Sequence, residues 1–337
     1  MIAASFASLS SKVSAMHKYL AGRHPGAGVS PGDVPENPAL ERLADALGTA
    51  AREYCALRGL EAGGTDGPAM LMVVQPGEMN AFDQQWISAA LWERHGVDTV
   101  RRTLAEVEAE GAVGEDGGLT VGGRRVACVY LRSGYAPTDY PSAAEWDGRF
   151  KLEASDAPKC PTVAMQIAGA KKVQQQLAAP GVTERFAGPE AAARIREVYA
   201  GQWSFEDLAD PATADVVRAA TADPRGYVLK PQREGGGNNV YGEAIVRALE
   251  GGGEGLAQYI LMQRIEPPLN RTLFLRNGEA TWADSLSELG VYGTLVTVGD
   301  VTVLNETAGH LLRTKLATSD EGGVAAGFAV LDSPVLG

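Results

Sequence analysis

The sequence predicts an α/β protein with α+β elements: a parallel sheet with flanking helices in its first half, and a strand-rich, antiparallel second half. Three observations carry this. An unbroken apolar run at residues 70–74 is followed by a helical stretch over 82–95 and by strand-like runs at 97–104 and 126–131. Strand, helix, strand with short connections is a βαβ unit, which implies parallel pairing. Near the end, two alternating runs at 291–298 and 301–304 flank Gly299-Asp300, a hairpin-type turn. Finally, 337 residues with 45% hydrophobic and 21% charged is globular composition. That length suits two domains of roughly 150 residues, burying about three quarters of the unfolded surface without disulfides or metal.

Taken in order, residues 5–60 alternate helical signals with a Gly/Pro-rich insert at 24–38, and Leu40, Leu43, Ala44, Leu47 and Ala51 recur at helix spacing. Ligands of open parallel sheets bind beyond the carboxyl ends of the strands, which singles out the loops at 75–84 and 132–135. From residue 161 helices dominate until a short strand at 227–230 enters a glycine loop. A helix resumes near Tyr241, and strands are expected at 259–265 and 272–275. A second glycine loop, 321–327, closes the chain. Gly 41 and Pro 18 together make about 17% of the residues. That exceeds the ordinary ~12% yet falls short of the 25–30% of low-complexity chains, so the excess sits in loops of a folded protein.

The net charge of −12 makes nucleic acid a poor partner. No apolar run approaches the ~18 residues of a membrane span, so no membrane association is expected, and residues 1–15 lack the basic start and apolar core of a signal peptide. Cys55, Cys128 and Cys160 are odd in number and scattered, which fits neither a disulfide framework nor a zinc site and favours a reducing compartment. His17, His24, His95 and His310 show no metal-ligand spacing. Nucleophile-elbow, HExxH, phosphate-loop and GxGxxG patterns are absent.

What remains is the run Lys230, Pro231, Gln232, Arg233, Glu234, Gly235, Gly236, Gly237, Asn238, Asn239. Three glycines let backbone N–H groups converge on an anion, Lys230 and Arg233 add positive charge, and Glu234 offers an oxygen ligand for Mg²⁺. A triphosphate clamp and a flexible surface loop are both compatible with it. Arg313 and Lys315, upstream of Gly322-Gly323, admit the same two readings. Lys171-Lys172 reads as an ordinary helix face.

These segments, together with Gly169-Ala-Lys-Lys-Val-Gln-Gln175, Asn80-Ala-Phe-Asp-Gln84, Val129-Tyr-Leu-Arg-Ser-Gly-Tyr135, His310-Leu-Leu-Arg-Thr-Lys315 and Gly322-Gly-Val-Ala-Ala-Gly327, closely resemble the eukaryotic-type glutathione synthetases, in the right order over nearly the whole chain. The resemblance implies an ATP-grasp fold with an inserted parallel-sheet substrate-binding domain. It divides the chain into a helical segment at 1–66, the substrate-binding domain at 67–168 and an ATP-grasp domain with glycine-rich lids at 169–337. It further implies an ATP-dependent ligase joining γ-glutamylcysteine to glycine through an acyl phosphate, in a cytoplasmic homodimer. Positioning and charge neutralisation, rather than acid–base catalysis, carry such chemistry.

By position, the resemblance assigns ATP contacts to Lys171, the run from Lys230 to Asn239, Tyr241, Met262, Gln263, Arg264, Ile265, Glu288, Lys315 and Glu321, with Glu234 on magnesium. Met262, Gln263, Arg264 and Ile265 would read the adenine through their backbone on a strand edge. The dipeptide falls to Ile2, Ala3, Ala4, Ser5, Glu78, Met79, Asn80, Gln84, Arg132, Ser133, Gly134, Tyr135, Arg313, Val324 and Ala325. Arg132, Arg313 and Lys230 would be catalytic. Members of the family carry a further region ahead of Ala4-Ser5-Phe6, with two more magnesium ligands and a substrate arginine. The resemblance therefore implies either an incomplete chain or a truncated, non-catalytic binding paralogue. An acceptor such as β-alanine in place of glycine is a further alternative.

Overall fold

The computed structural model describes residues 5–233, 237–251, 253–276, 278–319, 322–324 and 327–336. Two helices open it, α1 (Ala7–Arg23) and α2 (Ala39–Arg58), and Gly59 ends the second in the left-handed conformation. Then come β1 (Ala69–Val73), α3 (Ala81–His95), β2 (Thr99–Arg102), α4 (Leu104–Glu110), β3 (Gly111–Val113), β4 (Leu119–Val121), β5 (Arg124–Leu131), α5 (Ala143–Ala154) and β6 (Lys159–Cys160). β1 pairs in parallel with β2 and β5, and β5 with β6, as the βαβ pattern predicts. The antiparallel extension β5-β4-β3 is additional.

Alternation along β1 divides the core between the two sheet faces. Met70 and Met72 join Leu47, Tyr54, Ile87, Leu91 and Cys128 on one side. Leu71 and Val73 join Leu104, Val107, Val129 and Leu152 on the other. Capping boxes start the helices of the second face, Thr103 with Glu106 at α4 and Ser142 with Glu145 at α5.

Residues Val163–Pro268 form a compact unit of their own. They contain α6 (Val163–Ala168), α7 (Lys171–Ala178), α8 (Val182–Ala187), α9 (Pro189–Arg196), β7 (Gln202–Ser204), α10 (Pro211–Ala222), β8 (Tyr227–Pro231), α11 (Glu243–Gly251) and β9 (Tyr259–Gln263). The sheet runs β7-β9-β8, antiparallel throughout. Phe205, Ala220, Leu229, Ile245, Leu249 and Leu261 make its core.

The remaining strands, β10 (Asn270–Arg276), β11 (Glu279–Val298), β12 (Val301–Leu316) and β13 (Ala329–Asp332), form a four-stranded antiparallel sheet. The hairpin at Gly299-Asp300 is as predicted, but its strands are far longer than the two apolar runs suggested. By compactness these strands belong with Ile2–Thr162, not with the residues that precede them. The expected division into 1–66, 67–168 and 169–337 thus differs from the one the packing draws. The reason is contact: Ala308 of β12 packs with Ala7, Ala39 and Leu43 of the opening helices, and α2 shares a core with β1 and β5.

A local device fixes this docking. Asn37 accepts from the His310 backbone N–H (3.0 Å) and donates to its carbonyl (2.9 Å), pairing with β12 as another strand would. Gly309 makes room with φ at +118°; a Cβ there would lie 2.6 Å from Asn37 Oδ1 and 2.8 Å from the Ala39 nitrogen. Gly309→Ala is therefore expected to destabilise the larger unit by about 2–4 kcal/mol, read by chemical denaturation. A loss under about 0.5 kcal/mol, the ordinary effect of a surface change, would refute it.

Candidate functional site

The carboxyl edge of the parallel sheet gathers the first group of expected residues. Glu78 lies in the loop after β1, and Asn80 precedes α3. Glu78 Oε1 accepts from the Asn80 backbone N–H at 2.7 Å and Oε2 from Gln84 Nε2 at 2.5 Å. Gln84 is fully buried, and its Oε1 accepts from Arg101 Nη2 at 2.6 Å. Met79, also expected here, is 84% exposed.

The second loop, after β5, is shaped by Asp139. Its Oδ2 accepts from the backbone N–H groups of Gly134, Tyr135 and Ala136 at 2.9–3.1 Å. Gly134 holds φ at +91°, and a Cβ would lie 2.9 Å from the Tyr140 hydroxyl oxygen, so glycine is required. Gln75 donates to the Tyr135 hydroxyl (3.2 Å) and to Asp139 (2.8 Å), tying the loops together. Burial pushes the Tyr135 phenol up, and the charges of Asp139 and Glu78 push the same way. Ser133 is buried beside it.

Between the loops lies a charge the residue-by-residue assignment missed. Asp83 is fully buried at the first turn of α3. Its carboxylate accepts from the backbone N–H groups of Phe6, Ser8 and Leu9 (3.0–3.2 Å) and from the Ser8 hydroxyl (2.6 Å), so it caps α1 from a distance. Its Oδ2 also pairs with Arg132 Nη1 at 2.9 Å. Arg132, 5% exposed, donates through Nη2 to Ser5 Oγ at 3.2 Å. Tyr292 of β11 donates to the Ser5 carbonyl at 2.6 Å. Burial drives the guanidinium pKa down, but the neighbouring Tyr130 and Asp83 outweigh it, and Arg132 stays charged. Tyr130 itself is pushed up to about 12 by burial. The signal for Asp83 was the motif Asn80-Ala-Phe-Asp-Gln84 itself.

On the antiparallel sheet of the same unit, Glu288 and Arg313 stand opposite each other across β11 and β12 and form an ion pair. A Cβ on Gly322 would lie 3.8 Å from Glu288 Oε2, which brings the closing glycine loop to this pair. Lys315, half-buried, is two residues along β12, and the half-buried Val324 lies in the closing loop.

The unit Val163–Pro268 carries the other expected nucleotide residues. Lys230 and Pro231 end β8, and reciprocal backbone hydrogen bonds between Leu229 and Val240 close the base of the loop between them. Gln232 Oε1 accepts from the Lys172 backbone N–H at 2.9 Å, which sets Lys171, at the first position of α7, beside that loop. Arg233 and Gly237 are exposed, Asn238 is half-buried, and Asn239 donates to the Tyr241 hydroxyl at 3.1 Å. The strand-edge expectation for residues 262–265 is corrected. Met262 and Gln263 lie in β9, the central strand, while Arg264 and Ile265 lie past its end. The backbone N–H groups of Gln263 and Arg264 donate to Gly201 and Gly226, because a central strand is paired on both sides; Ile265 is 64% exposed. Gln263 Oε1 accepts from the Gly201 N–H at 3.1 Å, a bond a glutamate would make equally well.

Ile2, Ala3, Ala4, Glu234, Gly235, Gly236, Glu321 and Ala325 lie outside the described residues. Among the described residues no group of three or more His, Cys, Asp or Glu side chains is placed to hold a metal ion. No helix among them is long and apolar enough to cross a membrane.

Fold and site together define an α/β protein with a cluster of buried and half-buried polar side chains at the carboxyl edge of a parallel sheet; the unit Val163–Pro268 carries a basic loop of its own. The family model described as eukaryotic glutathione synthase, ATP binding domain, matches residues 1–336, and the chain belongs to that family. It is 44% identical to the chloroplastic glutathione synthetase of Solanum lycopersicum over 98% of this chain and 59% of that protein. It is 44% identical to the glutathione synthetase of Homo sapiens over 80% of this chain and 57% of the relative. The chain thus spans about three fifths of the length of these relatives. A solved glutathione synthetase-like effector from Globodera pallida shares the fold, with a TM-score of 0.75 at 21% identity over 100% of this chain and 69% of that one.

Proposed function

We propose that the chain carries nucleotide- and dipeptide-binding residues of a glutathione synthetase, an enzyme that joins γ-glutamylcysteine and glycine at the expense of ATP. The cysteinyl carboxylate attacks the γ-phosphorus, giving an acyl phosphate and releasing ADP. The glycine amine then attacks the acyl carbon, loses a proton, and phosphate leaves. The observation that carries this reading is the convergence of Ser5, Glu78, Gln84, Arg132 and Tyr135 at one sheet edge, from segments far apart in sequence. The glutamate offers an acceptor for an ammonium, and the arginine and amide offer donors for carboxylates. Lys230, Lys171 and Lys315 are the cations that would neutralise the phosphates, an electrostatic task that needs no histidine or cysteine.

Magnesium on Glu234 and a homodimer extend the reading through the family resemblance alone; a reducing compartment follows from the scattered cysteines, and the chloroplastic relative leaves an organelle open beside the cytoplasm. In the test, the full-length protein receives γ-glutamylcysteine, glycine, β-alanine at equal concentration to glycine, and ATP, with products resolved by mass. Glutathione in excess of its β-alanine homologue, with one ADP per product, is expected. ADP release without peptide, or no turnover of either acceptor, would overturn the proposal.

A further inference from the structure

Arg101 is the penultimate residue of β2, near the carboxyl edge of the parallel sheet and one strand away from the loop that carries Glu78. It has no part in the assignment above. Its side chain is half-buried, and among the described residues it has no ion pair: its Nε is buried without a hydrogen-bond partner, and its one bond is that from Nη2 to Gln84 Oε1 at 2.6 Å. A cation held at a ligand edge without a carboxylate partner is costly unless it performs a task there.

That task follows from donor–acceptor chemistry. A guanidinium can only donate. Gln84 must therefore turn its oxygen to Arg101, and its amide nitrogen to Glu78 Oε2, 2.5 Å away. Without Arg101 the amide could turn over, and a carboxylate would then face a carbonyl oxygen. With it, Glu78 is held at both oxygens, by Gln84 and by the Asn80 N–H, with lone pairs left over for a cationic group. The second N–H of Gln84 is left to donate to an anionic one.

We infer that Arg101 is a positioning residue that sets the polarity of the Glu78–Gln84 pair, so that this end of the site selects a ligand bearing an α-ammonium beside its carboxylate. The inference rests on the reading that Glu78 and Gln84 take the dipeptide. Its scope is selectivity, because Arg101 touches Gln84 and acts through it.

The experiment is calorimetric titration of the full chain with γ-glutamylcysteine and with the des-amino analogue glutarylcysteine. Arg101→Met is expected to weaken γ-glutamylcysteine about tenfold, the effect of one charge-assisted hydrogen bond, and to weaken glutarylcysteine much less. The preference for the α-amino ligand therefore shrinks. Arg101→Lys, which keeps a donor for Gln84, should recover most of it. A melting temperature close to that of the parent chain separates positioning from unfolding, and should Arg101→Met not fold, Arg101→Gln takes its place. Equal weakening of both ligands, or an unchanged preference, would overturn the inference. Glu78→Gln is the control for the underlying reading. If it leaves γ-glutamylcysteine binding unaltered, or the parent chain binds neither ligand, that reading fails and takes the inference with it. If Glu78→Gln weakens binding and Arg101→Met does not, the inference alone fails.

Discussion

Asp83→Ala is expected to cost about 3–5 kcal/mol, the price of stripping a buried arginine of its counterion. Arg132 is 5% exposed and has Asp83 as its carboxylate partner among the described residues, and the same substitution uncaps the first turn of α1. At about 2–4 °C per kcal/mol for a unit of this size, the transition should fall by roughly 6–20 °C. Arg132→Met should cost less, because the Asp83 carboxylate retains three backbone N–H donors and the Ser8 hydroxyl. The double variant Asp83→Leu/Arg132→Met should recover part of the loss, as apolar replacements of buried pairs often do. Differential scanning calorimetry decides the matter. A transition lowered by under 2 °C in Asp83→Ala would mean that water or a rearranged side chain satisfies Arg132, and the capping argument would be wrong.

The second large effect is on turnover. Lys230→Met keeps the length of the side chain and removes its charge at the end of β8, where Leu229 stays fully buried and anchors the strand. If Lys230 neutralises charge developing on the transferred phosphoryl group, kcat should fall about 10²–10³-fold, the usual consequence of removing one such electrostatic partner. Far-ultraviolet circular dichroism should be unchanged. A rate within threefold of the parent at saturating ATP would remove Lys230 from the mechanism.

Much of the parallel half was legible because its signals are local. The five residues of β1 are all buried, so they read as an apolar run, and Leu40, Ala44, Leu47 and Ala51 of the amphipathic repeat in α2 share a core with Met70 and Met72 among them. The antiparallel half was less legible. In β11 and β12 most residues are exposed or half-buried, glycines at 290, 293 and 309 interrupt the pattern, and only the distal hairpin is apolar enough to stand out. The short strands β3, β4 and β7 give three residues each, too few for a period to show.

The site divides the same way. Glycine loops and basic residues are visible one position at a time, whereas partnerships across the fold are not. Asp83 reads as an ordinary first-turn carboxylate of its own helix. That it caps a helix 75 residues upstream has no local trace. Arg101 is half of an Arg-Arg pair in a strand, and only the sheet register brings it to Gln84. The pairing of Glu288 with Arg313 likewise depends on a hairpin whose full length the sequence conceals.

The bond between Asn37 and His310 joins residues 273 positions apart. On a ribosome adding about 5–20 residues per second, α2 emerges roughly 14–55 s before the strand that covers it. During that interval Ala39 and Leu43 have no β12 to pack on. The sheet of β7, β8 and β9, closed between Gln202 and Met262, needs nothing made later than itself. The core that α2 shares with β1, α3 and β5 is likewise complete once β5 has emerged. Only the face of the opening helices that bears Ala7, Ala39 and Leu43 waits, uncovered, for the last strands.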